Sequence, residues 1–290
     1  MSAEHVEPEP TGRDRRTVVV GKTWLSPQLL RITVARDLHD FRDQGTDQHV
    51  ALMFWPPEAI VPDRLDLAAV QALYEFAHPQ MRRYTIRRID PVAGEVDFDF
   101  VMHDPPGPAT RWAVEAQPGD ELLWWGPTPA WRLRPDTRRV ALTGDETALP
   151  AIDAIVAGLP DGVHATVVAE TGDPRDTAYL DHHAGRAELV WVRREAALGA
   201  GSPELLAAVR GVGAVGERTQ VWGAAEFATV GALRRWFHGE CGLSRENAFL
   251  VTYWTHGRAQ DARADERGRR RALAARTKDP ERARRHVRGL

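Results

Sequence analysis

Residues 142–150 read Leu-Thr-Gly-Asp-Glu-Thr-Ala-Leu-Pro, and this stretch indicates a buried β-strand that turns directly into a helix. Gly144 permits a close backbone approach, and Asp145 and Thr147 are side chains that cap helix N-termini. The alternation of strand and helix continues along the chain. Strands are predicted at 140–143, 165–169, 188–192, 220–222 and 248–253, and helices at 147–157, 203–209 and 225–237. This pattern predicts a doubly wound parallel sheet.

The sequence before the proline-rich joint at Pro127, Pro129 and Pro135 has a different pattern. One brief helix is predicted at 109–116. Short strands are predicted at 18–24, 29–34, 49–55, 82–89, 96–102 and 121–125. Many short strands at this spacing predict an antiparallel barrel. We therefore expect a flexible arm at 1–16, a barrel domain at 17–135, an α/β domain at 136–256 and a basic tail at 257–290.

Charge is distributed unevenly along the chain. Residues 257–290 carry 12 Arg and Lys against 5 Asp and Glu, and the whole chain has a net charge of −3. The remaining residues are therefore acidic, which argues against a nucleic-acid-binding protein, because such proteins spread positive charge over a folded face. We expect a solvated tail, with docking of the tail on an acidic partner, DNA or a membrane surface as the minor alternative.

Composition bounds the class of protein further. The 290 residues are 43% hydrophobic and 27% charged, which is typical of globular chains. The single cysteine, Cys241, cannot form an internal disulfide. The absence of an apolar leader and of a long apolar run predicts a cytoplasmic protein without stable membrane insertion. No metal site is expected: adjacent His182 and His183 should point apart, with no third ligand spaced with them.

The segment 82–88 combines cations with an aromatic ring. The two-residue period of a strand places Arg82, Tyr84 and Ile86 on one face. A flavin dinucleotide needs a guanidinium for its pyrophosphate, an apolar surface for its ring and a donor near its reactive nitrogen. Arg82, Tyr84 and Thr85 can supply these groups. The alternative is a surface strand with scattered charges and a half-buried tyrosine.

The segment 103–113 takes a strand into a helix. If Gly107 is the N-cap and Pro108 the first helical residue, the amides of Ala109 and Thr110 point outward and form an anion site. The Thr110 hydroxyl adds a second clamp on a diphosphate. The alternative is an ordinary helix that begins with proline and whose amides bind water.

Two turns of the second domain should face the carboxyl edge of the sheet, where nucleotides bind. One contains Gly144, Asp145, Glu146 and Thr147, and the other is the segment 223–226, which includes Gly223, Ala224 and Glu226. Two carboxylates repel a phosphate, so the first turn is not a typical phosphate cradle. For each turn alone, a well-capped surface helix is an equally good interpretation.

These segments together resemble the siderophore-interacting protein family over about residues 15–262. The resemblance rests on Arg82-x-Tyr84-Thr85-x-Arg87, the segment 107–113, the run 144–152 and Tyr253-Trp254-x-x-Gly257. It implies a six-stranded FAD-binding barrel followed by an NAD(P)H-binding α/β domain. His103 and residues 107–110 would lie near the FAD diphosphate and adenosine, the two turns would border NADPH or NADH, and Tyr253 and Trp254 would close the flavin pocket.

The implied function is reduction of a ferric siderophore, with release of Fe(II) in the cytoplasm. Hydride from NAD(P)H would reach the flavin, and single electrons would pass to Fe(III), so no protein acid or base is assigned a catalytic role. Two alternatives stay open: a flavin reductase with another electron acceptor, and a non-catalytic siderophore-binding protein on the same fold. The sequence decides neither the siderophore nor the oligomeric state.

The chain departs from the family pattern where a basic cleft is usual. Family members commonly have Gly-Pro-Arg-Gly after the barrel, whereas this chain has Thr128 and Pro129 after Gly126 and Pro127. Thr255 and His256 follow the Tyr-Trp pair in place of a basic residue, and Asp104 follows His103 in place of glycine. Arg132 and Arg258 are the expected replacements for binding an anionic siderophore.

Overall fold

The computed structural model describes residues 13–36, 45, 47–55, 79–195, 201–213, 216 and 218–258. The chain divides into a compact unit that ends at His256 and a second unit, Gly257–Leu290. Of the second unit, the structure describes Gly257 and Arg258. Positions 1–12 of the predicted arm and positions 259–290 of the predicted tail lie outside the described residues.

The first layer is an antiparallel, barrel-like sheet whose ladder is not closed. Its strands are β1 (Arg13–Trp24), β2 (Leu29–Ala35), β3 (Asp47–Phe54), β4 (Gln80–Thr85), β5 (Arg88–Asp90), β6 (Glu95–Val101) and β7 (Glu121–Trp131). Their order in the sheet is β4-β3-β7-β1-β2-β6-β5. Helix α1 (Pro108–Glu115) lies between β6 and β7 in the chain.

The sequence predicts six strands in this domain, whereas the residues that the structure describes form seven. β4 pairs with β3 at one edge of the sheet, and β5 pairs with β6 at the other. Ile86 and Arg87 connect these strands. The Ile86 amide donates to the backbone carbonyl of Gln48 on β3, and the Arg87 amide donates to the backbone carbonyl of Asp97 on β6. The predicted strand 82–89 therefore forms two strands: its first half pairs with β3 and its second half pairs with β6, so this segment connects the two edges of the sheet.

The second layer is the predicted parallel sheet. Its strands are β8 (Arg139–Gly144), β9 (His164–Thr171), β10 (Ala187–Arg193), β11 (Thr219–Glu226) and β12 (Ala248–Trp254), in the order β10-β9-β8-β11-β12. Helices α2 (Leu149–Ala157), α3 (Pro203–Gly211) and α4 (Phe227–Arg234) accompany it. All four ladders are parallel. This is the doubly wound arrangement that the strand-helix alternation predicts.

Apolar packing joins the two layers. One core fills the barrel around Phe98, Phe100 and Trp124. Another lies between α2 and the parallel sheet, and it includes Leu29 and Trp131 from barrel strands. Trp131, at the end of β7 where the sequence departs from the family pattern, is therefore a buried core residue at the junction of the layers.

Some boundaries differ from the sequence expectation. β1 begins at Arg13, inside the expected arm, because its first residues pair with β7, from Arg13 opposite Gly126 to Val18 opposite Glu121. β7 continues through the proline-rich joint to Trp131, where it pairs with β3. The loop expected after β9 contains a 3₁₀-helical segment, Pro174–His183, whose N-cap Asp173 accepts from the Arg175 amide at 2.9 Å. Within the described residues, no helix is long and apolar enough to cross a membrane.

Candidate functional site

Strand β4 carries Arg82 and Tyr84 on the side that faces the barrel. Tyr84 and Ile86 pack against the barrel core, and strand alternation places Arg82 on the same side. Arg82 is half-buried, and its guanidinium donates to the Met81 carbonyl at 3.0 Å. Thr85 lies on the opposite side and is buried. The three residues expected to hold a flavin are therefore divided between two faces.

A row of aromatic rings connects β4 with helix α1. The Tyr84 and Phe100 rings have centroids 4.4 Å apart, and the Phe100 and Trp112 rings 5.9 Å apart. Phe54 extends the row from Trp112 at 5.7 Å. Because Trp112 belongs to α1, these rings fix the helix against the same part of the barrel that presents Arg82 and Tyr84.

Helix α1 begins as the sequence predicts. Gly107 is the N-cap, Pro108 occupies the first turn, and this turn contains neither an acidic residue nor a side-chain cap. The first amides of a helix have no partner within the helix, so they are available to an anion. His103 Nε2 lies 3.2 Å from the hydroxyl of Thr110, and the imidazole faces Gly107. The set of donors suits a diphosphate group.

The turn after β8 is fastened by Asp145, which is buried. One carboxylate oxygen accepts from the Thr147 amide at 3.0 Å and from the Thr147 hydroxyl. The other accepts from the Glu226 amide at 3.0 Å and the Trp254 indole at 2.8 Å. Burial and the neighbouring charge of Glu146 raise the pKa of Asp145 to about 6. This carboxylate therefore links the ends of β8, β11 and β12.

Glu146 belongs to a buried ion-pair cluster that the sequence analysis did not predict. The guanidinium of Arg194 donates to both oxygens of Glu146 and, at 3.0 Å, to Glu170. Glu170 also accepts from the Ser202 hydroxyl. Burial lowers the pKa of Arg194, but the hydrogen bonds and charges of the two glutamates outweigh this effect, so its pKa is raised.

The second predicted turn lies beside the first. The Glu226 carboxylate accepts from the amides of Thr229 and Gly201, at 3.4 and 3.2 Å, and from the His256 amide at 3.2 Å. A Cβ at Gly144 would lie 2.2 Å from the carbonyl oxygen of Ala224. Glycine at position 144 thus permits the close approach of β8 and β11 that brings the two turns together.

Residues from both layers meet at the carboxyl end of β12. The Trp222 indole donates to Asp47 of β3 at 2.8 Å, and burial raises the pKa of Asp47 to about 6 despite this bond. The phenol of Tyr253 lies near Thr85 of β4. Burial, followed by the charge of Asp47, raises the pKa of Tyr253. Thr85 and Tyr253 therefore lie at one inter-layer contact, and Trp254 joins it through Asp145.

The two cations expected to bind a siderophore belong to different units of the chain. Arg132 is exposed and follows β7 directly. Arg258 is exposed and belongs to the second unit.

His182 and His183 are not the divergent pair that their adjacency suggests. Their rings lie side by side, with centroids 4.0 Å apart, and both face Asp153 of α2. The expectation that they point apart without a third ligand is wrong, because the 3₁₀-helical segment packs across α2 and brings in a carboxylate from 30 residues upstream. Sequence spacing gave no signal for this cluster.

An antiparallel barrel-like sheet with an anion-suited helix, followed by a parallel five-stranded sheet, is a fold of the class that binds nucleotide cofactors. The chain matches the siderophore-interacting FAD-binding domain over residues 18–131 and the siderophore-interacting protein domain over residues 137–257. It belongs to the siderophore-interacting protein family, and FAD is the cofactor of its barrel domain.

Three relatives illustrate the match. The ferric vibriobactin reductase ViuB of Vibrio cholerae is 28% identical over 86% of this chain and 92% of its own length. A siderophore utilization protein from T. fusca is 30% identical, covers 86% of this chain and 95% of its own, and superposes with a TM-score of 0.73. The siderophore-interacting protein SipS from Aeromonas hydrophila is 28% identical, covers 89% and 98%, and has a TM-score of 0.71.

The residues present fit FAD at the barrel. The first turn of α1 has no acidic residue that would repel a diphosphate, and the His103–Thr110 pair lies beside it. Arg82 supplies a cation on β4, and the Tyr84 ring offers an aromatic surface beside it. These groups are the anion donors and apolar surface that a flavin dinucleotide requires.

Proposed function

We propose that the protein is an FAD-dependent reductase that uses NAD(P)H to reduce Fe(III) in siderophores, in the cytoplasm. One observation carries the proposal. The uncapped amide end of α1 and the cation-bearing strand β4 are joined by the ring row from Tyr84 to Trp112, in a chain that matches the FAD-binding siderophore family. The similarity to ViuB, a ferric vibriobactin reductase, supports the same reaction.

Each layer has a proposed task. Arg82 and the amides of Ala109 and Thr110 would hold the FAD diphosphate, and Tyr84 would support the ring system. The turns at Gly144–Thr147 and Gly223–Glu226 would border the nicotinamide nucleotide. Because the carboxylates in these turns are already hydrogen-bonded within the protein, recognition there would rest on backbone groups and shape.

Bound FAD supplies the conversion of a two-electron donor into a one-electron donor. One NAD(P)H would supply a hydride, whose two electrons would suffice to reduce two Fe(III) to two Fe(II) with release of one proton. Fe(II) is held less firmly than Fe(III) by hard oxygen donors, so it leaves the siderophore. The protein contributes binding and orientation, with Tyr253 and Trp254 closing the inter-layer side of the site.

The ferric siderophore would be attracted by the exposed cations Arg132 and Arg258. Arg132 lies directly after the last barrel strand, and Arg258 follows the Tyr-Trp pair in sequence. Many ferric siderophores are anionic, so these side chains would raise their local concentration.

Anaerobic stopped-flow spectroscopy tests the proposal. The purified protein should show a flavin spectrum that bleaches with NADH or NADPH, and a ferric siderophore should restore the oxidised spectrum. Reoxidation by a quinone or ferredoxin-type acceptor, with no response to ferric siderophores, would instead establish a flavin reductase with another acceptor. A protein that binds siderophore but takes up no FAD would establish a carrier.

A further inference from the structure

Two histidines and one aspartate outside the proposed flavin site form a cluster with the chemistry of a metal site. Asp153 Oδ1 lies 2.8 Å from His182 Nε2 and 3.1 Å from His183 Nε2. One ligand atom from each residue lies within 4.8 Å of the other two. Atoms that share a first-row metal ion at about 2.0–2.2 Å must lie a few ångströms apart, so these three atoms are within reach of one ion.

We propose that Asp153, His182 and His183 bind a divalent first-row transition-metal ion such as Zn²⁺ or Fe²⁺. Two imidazoles with one carboxylate suit these ions, whereas Mg²⁺ and Ca²⁺ prefer oxygen ligands alone. The proposal does not depend on flavin binding, because none of the three residues belongs to the flavin site.

The carboxylate is held in a geometry that leaves one oxygen for the metal. Asp153 is fully buried, and a guanidinium nitrogen of Arg87 lies 2.9 Å from its Oδ2. Oδ1 therefore faces the two imidazoles. A charged partner behind a ligating carboxylate is a common way to fix its orientation. Because Arg87 also offsets part of the negative charge, the site should bind metal reversibly and more weakly than a four-ligand structural zinc site.

The histidines are carried on a segment that is anchored on both sides. Asp176 accepts from Ser26 of the β1–β2 turn and, at 2.5 Å, from Thr171 at the end of β9. Tyr179 donates to Asp99 of β6. These bonds position the histidines before any ion arrives, so little ordering is required on binding.

The site has one closed side and one open side. The His183 side chain is 4% exposed, whereas the His182 side chain is 50% exposed. His182 also borders a cavity of about 230 Å³ between the two layers. Three protein ligands with an open side resemble an exchangeable or catalytic metal site rather than a closed structural one.

Equilibrium dialysis with Zn²⁺ tests the proposal on the untagged, chelator-treated, full-length holoprotein, with metal read by mass spectrometry. We expect one Zn²⁺ per chain at micromolar concentrations, and His182→Gln and His183→Gln should each weaken binding at least 10-fold. His182 is half-exposed, so that variant is expected to stay folded even if His183→Gln or Asp153→Asn does not. His164→Gln, an exposed histidine at the start of β9, is the matched control.

Two further readouts separate this site from other binding. Saturating Zn²⁺ should raise the thermal midpoint of the wild-type protein but not of His182→Gln, because the ion binds the folded state. Zinc X-ray absorption should show only nitrogen and oxygen neighbours, including imidazole. The proposal is overturned if the wild type takes up no more Zn²⁺ than His182→Gln, or if sulfur from Cys241 appears in the coordination shell.

Discussion

The barrel edge and the carboxyl edge of the parallel sheet are built in opposite ways. At the barrel edge, Arg82 is half-buried and the first turn of α1 has no side-chain cap. At the sheet edge, the carboxylates of Asp145, Glu146 and Glu226 are all bound to groups within the fold. The first region has helix amides that no side chain caps, and the second uses its carboxylates for its own structure. Charge changes should therefore affect cofactor binding at one edge and stability at the other.

The largest expected effect follows removal of the cation from the sheet edge. Arg194→Met leaves Glu146 and Glu170 buried without their counter-charge, which should lower the free energy of unfolding by about 3–5 kcal/mol. Urea denaturation measures this change. Arg193→Met, at the exposed neighbouring position, should change the value by less than about 0.5 kcal/mol. Equal losses of unfolding free energy in the two variants would show that the buried cluster stabilises the fold no more than the exposed Arg193 does.

The contact between the layers should make stability depend on pH. The pKa of Asp47 is raised to about 6, so the folded state keeps a proton that the unfolded state has lost above about pH 4. Its stabilising contribution is complete below pH 4 and is lost as the pH rises through 6. Asp47→Asn removes this titration, so its stability relative to the wild type should rise by about 2–3 kcal/mol from pH 4 to pH 7.

Denaturation curves at several pH values, compared with the exposed-site variant Asp161→Asn, measure this effect. A constant difference between Asp47→Asn and the wild type across that pH range would contradict the assignment of a raised pKa to Asp47.

At the barrel edge, loss of a cation should weaken the cofactor rather than the fold. Arg82→Ala is expected to weaken FAD binding about 10- to 100-fold, because a charge-assisted hydrogen bond contributes about 1.5–3 kcal/mol. Flavin fluorescence during dialysis measures the affinity. Arg83→Ala, exposed on the other face of β4, should retain FAD. Unchanged FAD affinity in Arg82→Ala would remove this residue from the proposed site.

The smallest expected effect concerns the substrate. Arg132→Ser should raise the KM for an anionic ferric siderophore by roughly 2- to 5-fold at low salt, since exposed charges contribute weakly and are screened. The difference from the wild type should vanish at high ionic strength. Arg138→Ser, another exposed arginine, is the control. An effect that persists in high salt would indicate a direct contact instead of long-range attraction.

Local patterns predicted the elements well where one residue type decides the backbone. Gly107 and Pro108 predicted the start of α1, and Asp145 predicted a cap that the structure confirms. Patterns were less informative where strands change partners. The pattern predicts one strand over 82–89, but Ile86 and Arg87 divide this run between two edges of the sheet. The reason is that pairing depends on distant strands, which local sequence does not specify.

The sequence by itself determined the two kinds of sheet, the helix start that suits an anion, and the family. Each of these depends on a local property of the chain: periodicity, a helix cap or a short motif. The tertiary structure alone decided which charges meet. Arg194 reaches Glu146 across 48 residues, and His183 reaches Asp153 across 30. Such pairs form because packing brings distant segments together and burial forces each charge to find a partner. No spacing rule in the chain encodes that requirement.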